Sequence, residues 1–164
     1  MKLQSIPERN LYLNLYQQYL YLEQNGQTRF TPPVQTLYAL RQALEELETE
    51  GLENRWRRYR NNYQILIAGL TELGFKFLLD DTVEHSNILT TIFEPDDSNY
   101  NFQKFHDLLY ERGYTIYPGK VGELNTFRLS VLGALEAADI NNFLGELKLV
   151  LGELQISVKY GKMV

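Results

Sequence analysis

Three side chains in this sequence could do chemistry by type and place. Arg128 lies inside "TFRLSVL", an alternating run that reads as a strand, where an unpaired guanidinium is costly to bury. Such an arginine either edges into solvent or meets a bidentate acidic partner, and a ligand carboxylate or phosphonate would serve. Thr31 stands before Pro32 and Pro33 in "RFTPPVQT", where its hydroxyl either caps the helix that follows or holds a phosphate oxygen at that helix's N-terminus. Lys120 sits in the glycine-flanked loop "YPGK", from which an amine reaches a carbonyl or a phosphate. No apolar cage surrounds it to make it a nucleophile, so a solvated loop lysine is the favoured reading. The run "GKVG" lacks the remaining glycines and the Ser or Thr of a phosphate-cradling P-loop.

Composition removes several classes of function. The chain has 164 residues, 44% of them hydrophobic, enough for one domain with a core or a domain plus an appendage. A net charge of -5 gives no broad positive field for nucleic acid or an anionic membrane. The absence of cysteine excludes disulfides, thiolate catalysis and Cys-based zinc sites. With two histidines only, His85 and His106, neither a His-rich metal cluster nor a Ser-His-Asp triad is expected. The run "RWRRYR" interleaves arginines with aromatics, but at helical spacing its aromatics face inward and its arginines form a solvated face. Asp80-Asp81 and Asp96-Asp97 read as turn residues beside strands. The first thirty residues carry neither the apolar h-region of a signal peptide nor a bilayer-length span, so a cytoplasmic protein is the default expectation.

The elements that must position Thr31 and Arg128 follow from periodicity. Asn10 to Gln24 places Leu11, Leu15, Tyr19 and Leu22 at helical spacing beside a second stripe of Tyr12, Tyr16 and Leu20, and Asn25-Gly26 stops the helix. After the loop to Pro33, Val34 to Glu50 carries a one-sided stripe of Leu37, Leu40, Leu44 and Leu47. A third helix from Leu52 to Leu73 has Trp56, Tyr59, Tyr63, Leu66, Ile67 and Leu70 inward and Arg55, Arg57, Arg58 and Arg60 outward. Strand-like runs "FKFLLD" and "NILTTIFEP" come next, separated by "DTVEHS". The amphipathic helix "YNFQKFHDLLYERG", strands "YTIYPG" and "TFRLSVL", and a helix from Glu136 to Glu153 complete the order. From Leu52 onward this is α-β-β-α-β-β-α, a mixed α/β chain whose α+β small domain is an antiparallel-rich sheet with helices on one face. The two helices before it cannot close a core of their own.

Taken together, "RFTPPVQT", "LLDD", "IYPGK" and "TFRL" followed by "AADI" resemble, in order and spacing, the C-terminal part of the 2-aminoethylphosphonate:pyruvate transaminases. These are class V aminotransferases among the fold-type I pyridoxal-phosphate enzymes, and the resemblance runs from about Leu11 to Glu153. It implies that Thr31 binds the cofactor phosphate of the neighbouring subunit and that Arg128 binds the acidic group of the substrate. After that arginine the chain reads "LSVLGAL" where related chains favour an isoleucine-glycine-asparagine run.

The resemblance also implies what is missing. The family's Schiff-base lysine, the aspartate on the pyridine nitrogen and the aromatic stacked on the ring all lie in a large N-terminal domain. Lys120 matches the "YPGK" loop and not that lysine. The expectation is therefore a remnant of the large domain over residues 1–51 and a small domain over 52–164, with no catalytic residue of its own, no metal, and no covalent hold on pyridoxal 5'-phosphate. Its partners are expected to be a second copy or a chain carrying the large domain, with no nucleic acid and no membrane. A non-catalytic docking module built on the aromatic N-terminal helix, and a fragment of the alanine:glyoxylate type, are the competing readings.

Overall fold

Two asparagines compete to start the first helix. The Asn10 side chain accepts from the Leu13 N–H at 2.6 Å and the Asn14 side chain from the Gln17 N–H at 3.0 Å. The second wins, so α1 runs Leu15–Asn25, shorter than expected, because the turn at Asn10 satisfies its own backbone locally. In the computed structural model residues 2–79 and 86–158 are described. The expected turn at Asp80-Asp81, the "DTVEHS" segment through His85 and the tail from Lys159 lie outside them.

The chain divides into two compact units, Met1–Thr49 and Glu50–Val164. The first holds a 3-10 turn at Lys2–Ser5, α1, and nearly all of α2 (Val34–Glu50). The loop between the helices is tied back to the segment before α1. Arg29 donates from its guanidinium to the Leu11 carbonyl at 3.0 Å and from its backbone N–H to Gln18 at 3.3 Å, and the Tyr12 and Phe30 rings lie 5.1 Å apart. Pro33 then opens α2, its carbonyl accepting the Leu37 N–H at 3.0 Å. Neither α1 nor α2 has a buried residue.

The second unit contains α3 (Leu52–Glu72), β1 (Leu89–Phe93), α4 (Phe102–Glu111), β2 (Tyr117–Pro118), β3 (Thr126–Ser130) and α5 (Ala137–Glu153). The sheet is antiparallel in the order β1-β3-β2, with β3 central. The expected mixed fold holds, and one strand is trimmed. "FKFLLD" forms a single bridge, Phe77 to Ile92, flanked by bonds from Leu78 N–H to the Thr91 carbonyl and from Phe93 N–H to the Lys76 carbonyl. It is an edge segment one bridge long, entered from the αL turn at Gly74 (φ +94°) that closes α3.

Alternation along β3 sets the two faces of the sheet. Phe127 and Leu129 are buried and join Ile92 of β1 in the core, whereas Arg128 and Ser130 are exposed on the other face. Phe127 meets Phe75 and Phe105 edge to face at 5.9 and 6.0 Å. Leu66 and Leu70 of α3, Phe105 and Leu109 of α4, and Ile140, Phe143, Leu147, Val150 and Leu151 of α5 complete that core. Burial of each is worth about 1.5–3 kcal/mol.

The first turns of α3 differ from the expected pattern. Trp56 is exposed with Arg60 over its ring, while Arg55 and Arg58 are half-buried. Here α3 lies against the backbone of the loop after β3 rather than against the sheet. Arg58 donates to the carbonyls of Gly133 and Leu135 at 2.8 and 3.0 Å, and fully buried Asn62 donates to Leu135 at 2.7 Å. A loop that presents carbonyls selects donors, so the apolar stripe is buried only from Leu66 onward.

Candidate anion-binding site

Arg128 is placed by three features of the sheet. Register pairs it with Thr91 on β1 and with Tyr117 on β2, so all three side chains stand on the face opposite the core. Its stem lies across Gly119, where an added Cβ would come within 2.6 Å of Cγ, 2.9 Å of Nε and 3.1 Å of Cδ. The motifs "IYPGK" and "TFRL" therefore form one structure, in which the glycine of the first is the floor under the arginine of the second. Thr126 fixes that floor twice: its carbonyl accepts the Gly119 N–H at 3.0 Å, and its buried hydroxyl donates to the Gly119 carbonyl. Among the described residues the Arg128 guanidinium has neither a hydrogen bond nor an ion pair. Its five donors remain available to an oxyanion, for which its planar fork suits a carboxylate or a phosphonate.

Lys120, next along the loop, is exposed. It lies close enough to Glu94, the residue after β1, for its charge to oppose the rise that partial burial imposes on the Glu94 carboxyl. Burial, and secondarily the Glu94 charge, also raise the pKa of Tyr100, whose buried hydroxyl has no partner among the described residues. The loop from Lys120 to Asn125 closes through a turn in which the Leu124 N–H donates to the Val121 carbonyl at 3.1 Å.

Thr31 belongs to the first unit. The alternative of a helix cap is not taken up: its hydroxyl is exposed and, among the described residues, has no hydrogen-bond partner. The Thr28 hydroxyl, by contrast, donates to the Phe30 carbonyl at 2.7 Å. A free hydroxyl three residues before the start of α2 fits a phosphate contact, so Thr31 suits the periphery of a pyridoxal-phosphate site. Lys76, Lys104, Lys120 and Lys148, by contrast, are all exposed and give no enclosed amine.

The remaining candidates have structural roles. Asp97 accepts from the Asn99 N–H at 2.8 Å, which is turn chemistry, and from the Ser157 N–H at 2.9 Å, which ties that turn to the segment after α5. His106 lies between Phe102 and Tyr110 and pairs with Asp107 at 2.9 Å, a contact that lowers the Asp107 pKa. No group of three or more His, Cys, Asp or Glu among the described residues could hold a metal ion, and no helix among them is long and apolar enough to cross a membrane. Sequence reading missed Gly119 and Thr126. Their signal was the "YPG" run paired with a threonine at the start of the next strand, and only the β2–β3 register joins them.

No family model matches the chain. Its sequence is 45% identical over 138 residues to 2-aminoethylphosphonate–pyruvate transaminase from Salmonella paratyphi B, a match covering 83% of this chain and 37% of that protein. The same enzyme from Salmonella heidelberg matches equally. The chain thus spans about 37% of the length of the curated relatives it matches. Among solved structures, alanine–glyoxylate aminotransferase from Nostoc sp. superposes with a TM-score of 0.77 at 26% identity, over 92% of this chain and 40% of that one. Aspartate aminotransferase from Thermus thermophilus shares the fold at a TM-score of 0.76 and 23% identity, over 93% and 42% of the respective chains. The resemblance read from the five motifs is borne out.

Proposed function

We propose that this chain, related along most of its length to part of the class V enzyme 2-aminoethylphosphonate–pyruvate transaminase, supplies the small domain of such an enzyme and the helices that lead into it. Residues 1–51 belong, in this reading, to the end of the large domain and residues 52–164 to the small domain. The reaction moves the amino group of 2-aminoethylphosphonate to pyruvate, giving phosphonoacetaldehyde and alanine, a step of phosphonate degradation in the cytoplasm. When bound, pyridoxal phosphate supplies the electron sink for that transfer. Arg128 holds the acid group of the substrate by a charge-assisted fork, and the Thr31 hydroxyl donates to the cofactor phosphate of a neighbouring subunit in a dimer. The chain alone does not transaminate, because no lysine in it takes the covalent role.

The unpaired guanidinium of Arg128 on the outer face of the sheet carries this reading, supported by the 45% identity. The lower identity to the alanine–glyoxylate enzyme, 26%, favours the phosphonate branch over that alternative. The test replaces the corresponding segment of the Salmonella paratyphi B enzyme with this chain. The chimera is expected to transaminate 2-aminoethylphosphonate, and Arg128→Ala to raise its KM for that substrate at least tenfold. A chimera that folds and takes up pyridoxal phosphate but ignores the phosphonate would sink the proposal. For the chain alone, borohydride treatment with pyridoxal phosphate is expected to leave every lysine unmodified at stoichiometric level by mass spectrometry.

A second reading has an observation of its own. The exposed Leu and Tyr side chains of α1 and α2 favour association with a second copy or with a chain carrying the large domain, whether or not catalysis follows.

A further inference from the structure

We infer that Gly119 is a positioning residue: pinned by Thr126, it sets the direction of the Arg128 guanidinium and so the place where an oxyanion binds. The inference rests on the reading of Arg128 as the group that holds the substrate's acid. Three observations carry it. The stem of Arg128 runs so close over Gly119 that a methyl group there would overlap Cγ, Nε and Cδ together, which rotation about the far end of the side chain cannot relieve. The backbone of Gly119 cannot retreat, because both its N–H and its carbonyl are held by Thr126, a fully buried residue on the same strand as the arginine. Gly119 is also absent from the glycines with positive φ, so space and not backbone freedom is what the position demands.

A long side chain on an exposed strand position ordinarily samples several rotamers, and an anion that binds it must first bear the cost of ordering it. Lying along the glycine, Arg128 is ordered in advance over part of its stem, with Tyr117 and Thr91 at its register positions on the same face. This is the kind of support that holds a binding group in productive geometry. Gly119 touches no ligand in this account and acts only through the arginine.

The experiment uses the full chain, labelled so that the Arg128 Nε–Hε resonance is resolved, with 2-aminoethylphosphonate as the probe. Gly119→Ala is expected to shift that resonance before any ligand is added and to weaken phosphonate binding at least threefold, while the methyl resonances of Leu70 and Val150 stay in place. Thr126→Val, which removes the hydroxyl under Gly119 at nearly constant volume, is expected to shift the Arg128 resonance in the same direction and serves if Gly119→Ala does not fold. In the Arg128→Ala background, Gly119→Ala is expected to have no further effect on binding. If either variant leaves the arginine resonance and phosphonate affinity unchanged while Arg128→Ala abolishes binding, the positioning role is overturned and the anion-binding reading stands. If wild type shows no response to phosphonate, the anion-binding reading fails, and the ligand-free resonance shift still decides the role of Gly119.

Discussion

Glu50, at the end of α2, shows how one side chain can organise a junction. Its carboxylate accepts from Arg55 Nε at 2.6 Å and from Arg58 Nε at 2.7 Å, and these bonds, Arg58 first, bring its pKa down to about 2. A carboxylate whose folded pKa lies below its unfolded value adds stability above the unfolded pKa and loses it as pH falls toward the folded one. The pH window is therefore from about 5 down to about 2. Glu50→Gln should be less stable than wild type at pH 7, and the two should converge near pH 2, as read from urea midpoints across that range. Arg58 carries a second load through its bonds to the Gly133 and Leu135 carbonyls. Arg58→Ala should cost about 1.5–3 kcal/mol at pH 7 in the same assay, within the range for hydrogen bonds to charged groups. None of this was visible in "RWRRYR", where spacing alone made the arginines a solvated face. Helical periodicity gives the angle between side chains but not what the helix is laid against. For Arg128 the reverse held: strand parity already put it opposite Phe127 and Leu129, but the glycine beneath it depends on a register the sequence does not print.

Among the elements, the pair α3 and α5 is packed most tightly at Gly69. A Cβ on Gly69 would meet Leu144 Cδ1 at 2.4 Å, Cδ2 at 2.9 Å and Cγ at 3.1 Å. In an exposed helix Gly→Ala gains up to about 1 kcal/mol of propensity, whereas overpacking costs about 1–3 kcal/mol. All three outer atoms of Leu144 are in the way, so the second effect should prevail. Gly69→Ala is expected to destabilise the chain by about 1 kcal/mol in urea unfolding, the difference between those ranges. Combining it with Leu144→Ala should cost less than the sum of the two changes. A stabilised Gly69→Ala would show that Leu144 swings clear. The long amphipathic helices were the most legible elements: α2 spans Val34–Glu50 as its leucine stripe and flanking Pro33 and Gly51 indicate. The short strands were less so, because pairing rather than composition decides where a strand stops. "FKFLLD" has strand residues and a partner in β1 but only a one-bridge overlap, and β2 shrinks to Tyr117–Pro118 because Pro118 has no N–H to extend a ladder.

At the scale of the whole molecule, apolar surface is distributed unevenly. Every buried hydrophobic residue among those described lies at Leu66 or beyond, whereas Leu37, Leu40 and Leu44 of α2 are 51%, 55% and 51% exposed. A seventeen-residue helix with a one-sided apolar stripe and no buried residue draws little from its own core. Its backbone hydrogen bonds should therefore open at low cost, while those of β3 and α5 open only with global unfolding. Hydrogen exchange on a dilute, monomeric sample should show α2 amides exchanging orders of magnitude faster than those of α5. If the stripe is the face by which the chain meets a second copy or a large-domain chain, raising the concentration or adding such a chain should slow exchange in α2 and leave α5 unchanged. The double variant Leu37→Glu, Leu44→Glu should abolish that slowing, and light scattering on the same samples should return a monomer mass. Equal protection of α2 and α5 in the dilute monomer would instead mean that the first unit is stable by itself, and association would lose its physical motive.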